Sequence, residues 1–205
     1  MLVYYLYQMA RIQIDKNSSR KDVIVSKAAA LFREKGFKAA SMRDLAESVG
    51  VEAASLYNHI KSKTELLHEL CFGVANRFMH KIDEVESEKV TALEKVEHLI
   101  RFHIDEMINH YEEVYVSDRE WKHLSDPYLS NFQNQRRMYR KRFAAIIEAG
   151  IKQKEIKPID APTAVLILLH AIGGIESWHR STQKISAEAL TENMVSMLVG
   201  GLVNK

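Results

Sequence analysis

Residues 28–67 read AAALFREKGFKAASMRDLAESVGVEAASLYNHIKSKTELL, and the placing of Gly36, Ser41, Gly50 and Ser62 within them decides the fold. Before Gly36, the apolar residues Ile24, Ala28, Leu31 and Phe32 recur at helical spacing. They predict an amphipathic helix that opens near Ser18 or Ser19 and stops at Lys35, with Gly36 free to turn left-handed. Ser41 followed by Asp44 has the form of a capping box, and Leu45, Ala46 and Val49 give the short helix behind it one buried face. Gly50 ends that helix. A third segment, Ala53–His59, turns Leu56 and Ile60 inward. Two short helices about a tight glycine turn form a helix-turn-helix pattern.

Ser62 with Glu65 predicts a full capping box for the next helix. Leu66, Leu67, Leu70, Val74, Phe78 and Ile82 run along it as one stripe from Lys63 to about Asp83, roughly 30 Å at about 1.5 Å per residue. That length joins a DNA-binding head to a separate body. Helical periodicity continues over 90–110, 112–123, 127–155, 161–181 and 186–203, with Asp160 and Pro162 marking one start. Ala164–Ile172 reads as buried all round. Leu190, Met194, Met197, Leu198 and Gly201 mark one side of the last helix, so the final pair is expected to form a four-helix dimer interface with a second copy.

The chain has 205 residues, 46% apolar and 27% charged, the balance of a globular protein rather than a disordered one. Its single cysteine, Cys71, excludes an internal disulfide framework and fits a reducing cytoplasm. The opening MLVYYLYQMARIQ has neither a basic leading region nor a small-residue cleavage site, so residues 1–17 read as an arm and not a signal peptide. No apolar run approaches the ~20 residues of a membrane span, and no membrane partner is expected. The net charge of +2 is unevenly shared. Residues 1–63 carry 11 Lys/Arg against 6 Asp/Glu, and residues 64–205 carry 18 against 21. A basic head on a mildly acidic body places a polyanion at the N-terminal end.

Ser26–Leu67 resembles the N-terminal head of the TetR/AcrR regulators, most distinctly in ALFREKGF, SMRDLAESVGV and LYNHIKSKTEL. The resemblance implies an all-α protein: a three-helix helix-turn-helix head over 18–63 and a helical ligand-binding and dimerisation domain over 64–205. It implies double-stranded operator DNA, a small-molecule effector and a second copy as partners, and no cofactor. In that frame Ser41, Arg43, Tyr57, His59, Lys61 and Lys63 meet the phosphate backbone. Ala53, Ser55 and Asn58 stand where bases are read, together with Glu52. Ala53 departs from the polar residue common there, and Ile60 replaces a frequent phenylalanine.

The body resembles one branch of that family, the regulators of fatty-acid and acyl-CoA degradation. The matching stretches are REWKHL at 119–124, RRMYRKRFAAIIEAGIKQKEIKP at 136–158 and GIESWHRSTQKISAEAL at 174–190. Lys154 stands where that branch often has glycine. The likeness implies an acyl-CoA effector, with Arg119, Trp121, Arg137, Arg140, Trp178 and Arg180 as its contacts, and the cations Arg119, Arg136, Arg137, Arg140, Lys141 and Arg142 are placed to meet its phosphates. A TetR-type sensor of other apolar molecules, or a helical interaction protein that does not bind DNA, are the alternatives. Phosphate-loop, GxSxG and HExxH motifs are missing, and the nine histidines include no HxxxH pair, so neither an enzyme nor a metal site is expected.

Overall fold

The computed structural model describes residues 20–204, so the expected arm and the cap at Ser18 or Ser19 lie outside the described residues. Within them the chain is all-helical. Three helices build the head: α1 (Arg20–Lys35), α2 (Met42–Val49) and α3 (Ala53–Tyr57). Gly36 and Gly50 sit at φ 76° and 75°, the left-handed conformation that lets each helix end without a Cβ penalty. The Ser41–Asp44 capping box forms in full. The third helix is shorter than expected, because the amides of Asn58 and His59 already bond back only three residues.

The long helix α4 (Lys63–Ser87) continues from the head. Ser62 caps it by accepting from the Glu65 amide, but the returning bond differs from the expected box: the Glu65 carboxylate accepts from the Lys61 amide at 2.7 Å. The body adds α5 (Ala92–Asn109), α6 (Tyr111–Arg119), a 3₁₀ turn at Trp121–His123, α7 (Tyr128–Lys152), α8 (Ala161–Gly173), α9 (Ile175–Arg180) and α10 (Ala187–Gly200). Thr91 and Glu94 supply a capping box for α5. α7 ends before its expected limit, and Lys154 follows at φ 61°, the left-handed backbone that glycine adopts without cost. The expected helix over 161–181 is two helices. The Gly174 amide bonds to the Ala171 carbonyl and the Ser177 amide to the Gly174 carbonyl, so the α-helical bonding gives way there to a tighter three-residue turn.

Two apolar clusters hold the molecule. One lies inside the body, where Ile82, Leu99, Ile100, Phe143, Ile147 and Val165 are almost wholly buried. The other joins Phe32, Leu45, Leu56, Ile60, Leu66 and Leu67 of the head and α4 to Val116, Leu124 and Phe132 of the body. Packing therefore crosses residue 63 without a break. Ala164–Ile172 is not buried all round: Ala164, Val165, Leu168 and Ile172 face the core, whereas Leu166 (54% exposed) and Ile167 (60%) face outward. The helical side of α10 splits likewise, with Leu190, Met194 and Leu198 against the core and Met197 77% exposed. The stretch Ala161–Arg180 has the length and mean hydropathy (1.3) of a membrane crossing, although it holds no unbroken apolar run of that length and 33% of its most apolar part is buried in the body.

Candidate nucleic-acid interface and ligand chamber

The head displays polar groups on short, well-capped helices. Arg43, Ala53, Tyr57, Asn58, His59 and Lys61 are exposed around α2, α3 and the turn after it, and Ser55 is half-buried. Tyr57, at 52% exposure, is an aromatic held out in solvent. Ser41 is exposed, but its hydroxyl both donates to and accepts from Asp44. The Lys35 ammonium, then the Ser41 contacts, hold the Asp44 carboxyl well below the usual carboxylate range. Lys63 is drawn inward. Its ammonium donates to the carbonyls of Phe37 (2.7 Å), Lys38 (3.2 Å) and Ala40 (2.8 Å), and lies 4.6 Å from the Phe37 ring centre. All three of its N–H donors thus tie down the turn between α1 and α2.

Beside the head, the body holds a half-open chamber of about 460 Å³. Val74, Phe78 and Met79 of α4 form one wall, Met107 of α5 and Val114 of α6 another, and Leu166, Leu169 and Ile172 of α8 a third. α7 contributes Phe132, Gln135, Arg136, Tyr139 and Arg140, which share one face at helical spacing. Polar groups enter this apolar room at two levels. Within it, His103 Nε2 and the Tyr139 hydroxyl lie 2.7 Å apart, both residues buried. Burial pushes the His103 pKa down to about 3, so the imidazole is neutral, and raises that of Tyr139. At the rim stand Arg119, Arg136 and Arg140.

The rim arginines differ. Arg136 donates to Asp118 at 2.6 Å, and Arg119 to Glu176 at 2.8 Å. Arg140 has no carboxylate within ion-pair distance among the described residues. Burial, then the like charges of Arg136 and Arg137, lower its pKa, so an incoming anion relieves it. Of the residues expected around an effector, Arg119, Arg136 and Arg140 line the chamber. Arg137 is exposed away from it. Trp121 packs near Phe132, ring centres 6.3 Å apart. Trp178 packs on the body core, its indole N–H donating to the Ile185 carbonyl at 3.0 Å, and Arg180 pairs with Glu176. Gln135 and Tyr139 escaped the sequence reading although their spacing with Phe132 and Arg136 was visible. Phe78 was visible only as part of the apolar stripe of α4, and nothing local singled out His103.

The chamber touches the head mechanically. Phe132 is both chamber wall and part of the cluster that holds the head. His179 bonds to the carbonyl of Met107, a wall residue, and stacks on Tyr111 at 4.1 Å, while the Arg33 guanidinium of α1 lies 5.8 Å above that tyrosine. Phe37 of the head stacks on His123 of the body at 5.5 Å. Arg77 of α4 forms a bidentate pair with the buried Glu106 of α5 and a second pair with Glu113 of α6. Among the described residues no group of three or more His, Cys, Asp or Glu is placed to hold a metal. Cys71 is buried in the head cluster, its pKa pushed up to about 12 by desolvation, which keeps the thiol inert.

The sequence matches two family models: bacterial regulatory proteins of the tetR family over residues 24–70, and the tetracyclin repressor-like C-terminal domain over 89–202. The HTH-type transcriptional repressor KstR2 of Mycobacterium tuberculosis is 23% identical over 190 residues, covering 92% of this chain and 95% of the relative. The fatty acid metabolism regulator protein of Bacillus subtilis is 24% identical over 184 residues, covering 89% and 95%. The fold matches that of the ketosteroid transcriptional regulator KstR2 of Mycobacterium tuberculosis with a TM-score of 0.84, at 23% identity and with 93% and 98% of the two chains covered. It matches AibR, solved with isovaleryl coenzyme A and operator DNA, with a TM-score of 0.76 at 21% identity, covering 88% and 98%. With one model on the head and the other on more than half of its length, this chain belongs to the TetR family of bacterial regulatory proteins.

Proposed function

We propose that the chain is a cytoplasmic, homodimeric transcriptional repressor that leaves its operator when an acyl-CoA thioester enters the body chamber. The observation that carries this reading is the chamber itself, an apolar room with cations at its rim, built against the helix that leads into the head. Its volume lies in the lower half of the ~300–1,000 Å³ usual for small-ligand sites, which suits an acyl group and not a whole thioester. The CoA phosphates then stay at the mouth, where Arg140 is free of carboxylates and Arg119 and Arg136 can exchange theirs. AibR, with its isovaleryl coenzyme A, is a precedent for this pairing on the same fold.

A second copy covers the outward apolar face of α8 and α10, where Ile167 and Met197 stand exposed. The two α3 helices then enter successive major grooves, about 34–36 Å apart or somewhat more. Arg43, Tyr57, His59 and Lys61 hold the backbone, and Ser55 and Asn58 reach base edges beside Ala53. A ligand wedged against Val74 and Phe78 shifts α4, and with it the head spacing, by no more than its preference for the released state allows. The direct test is the anisotropy of a labelled duplex taken from upstream of the protein's own gene. Tight binding released by a medium- or long-chain acyl-CoA, and not by free CoA, is expected. Release by uncharged apolar compounds alone favours a sensor of other molecules. Salt-independent, weak association with every duplex in a broad selection removes the DNA-binding role.

A further inference from the structure

We infer that Lys63 is a positioning residue of the DNA interface: it sets α2 from inside the head and leaves the phosphates to its neighbours. The inference rests on the DNA-binding half of the proposed function and is independent of the effector. Lys61 and Lys63 flank Ser62 at the entry to α4, and of the two only Lys61 is exposed. The Lys63 ammonium has three protons, and the carbonyl oxygens of Phe37, Lys38 and Ala40 lie 2.7, 3.2 and 2.8 Å from it. None of those carbonyls accepts from a backbone amide among the described residues. One side chain therefore satisfies the turn between α1 and α2. A phosphate could draw it away only by stranding a carbonyl.

The place of this grip gives it a role. Ala40 precedes Ser41, the cap of α2, so fixing its carbonyl fixes the first turn of that helix and the exposed Arg43 on it. Groups that recognise a ligand must be held to within about 0.5 Å, and α2 is only eight residues long. Lys63 is itself the first residue of α4, so the start of α2 travels with the long helix. On the body side, the Phe37 amide donates to the Glu120 carboxylate at 3.4 Å, and the Phe37 ring stacks on His123. The turn is thus held between α4 and the body. Positive charge alone does not reproduce this. An ammonium sends three donors to three separate oxygens, whereas a guanidinium is a flat fork suited to two oxygens of one phosphate. Lys63→Arg therefore separates a clamp from a phosphate contact.

The test uses the purified full-length chain and a labelled duplex selected from a random pool, with anisotropy followed across a salt series. Lys63→Arg is expected to weaken binding about tenfold or more, nearly as much as Lys63→Met, with the salt slope unchanged in both. Affinity kept by Lys63→Arg, or a slope lowered by about 1.8 per dimer in Lys63→Met, overturns the inference and leaves the DNA role intact. Circular dichroism checks that both variants fold. The unaltered chain supplies a second measurement, acetylation by an amine reagent mapped by mass spectrometry. Lys63 should react far more slowly than Lys61 in the free protein. Fast acetylation of Lys63 that the duplex suppresses overturns the inference without any variant. If no duplex binds the unaltered chain, the DNA role falls and the inference with it.

Discussion

Head and body handle polar groups in opposite ways. In the head, short helices closed by Ser41 and Gly50 hold Arg43, Tyr57, Asn58 and Lys61 out in water, and its helix caps are local, as between Ser41 and Asp44. In the body, long helices line a half-open chamber with His103, Tyr139 and Gln135, and the decisive bonds join residues far apart in sequence, such as Arg77 to Glu106 and His103 to Tyr139. A surface meant for a large polyanion needs exposed donors on a rigid frame. A chamber meant for a small ligand needs a few polar groups at high stakes, because each is desolvated.

The contrast breaks down first at Phe132, which serves both regions. Phe132→Ala should cost about 3–5 kcal/mol in urea unfolding, with the reporters Trp121 and Trp178, each alone in a single-tryptophan variant, losing their signals together. Separate transitions would mean that the head is a unit of its own. Arg77→Met strips the buried Glu106 of its cation and should cost about 3 kcal/mol in the same assay, and Glu106→Gln in that background should recover part of the loss. No recovery would place the loss in packing.

Acidification probes the chamber wall. His103 is neutral when folded, its pKa near 3 and so below the unfolded value, and the unfolded chain alone takes up the proton. Its stabilising share is complete above the unfolded pKa and fades as pH falls through that value toward the folded one. Lowering pH from about 7.5 to about 5 should cost about 2 kcal/mol through this residue, and His103→Leu should flatten the slope. Lys154→Gly relieves the left-handed backbone and should raise stability by up to about 1 kcal/mol in the same assay. On the head, Lys61→Ala should leave stability within about 0.5 kcal/mol and lower the salt slope of DNA binding by about 1.8 per dimer, about 0.9 for each copy of the residue. An unchanged slope would take Lys61 off the phosphates.

The head was legible to within a residue or two. Its signals act over one helical turn: a serine side chain reaches an amide three positions on, and a glycine reverses the chain where it stands. Even there the Glu65 carboxylate chose the Lys61 amide over that of Ser62, and Lys63 found three carbonyls across the α1–α2 turn, a choice made by the packing of Phe37. The body helices were legible as periodicity, but the break at Gly174 and the two-sidedness of α8 were not, since an all-apolar stretch has no pattern by which to assign faces.

Sequence alone determined that the chain is helical, that a helix-turn-helix leads it, and that one long helix ties it to the body. Capping chemistry and a 3.6-residue period are properties of neighbours along the chain. Only the tertiary structure decided which arginines stand at the chamber, that Trp121, Trp178 and Arg180 pack or pair elsewhere, and that Gln135, Tyr139 and His103 line it. A chamber is the gap left where α4, α5, α6, α7 and α8 fail to fill space. Which side chains border it depends on crossing geometry that no local signal carries.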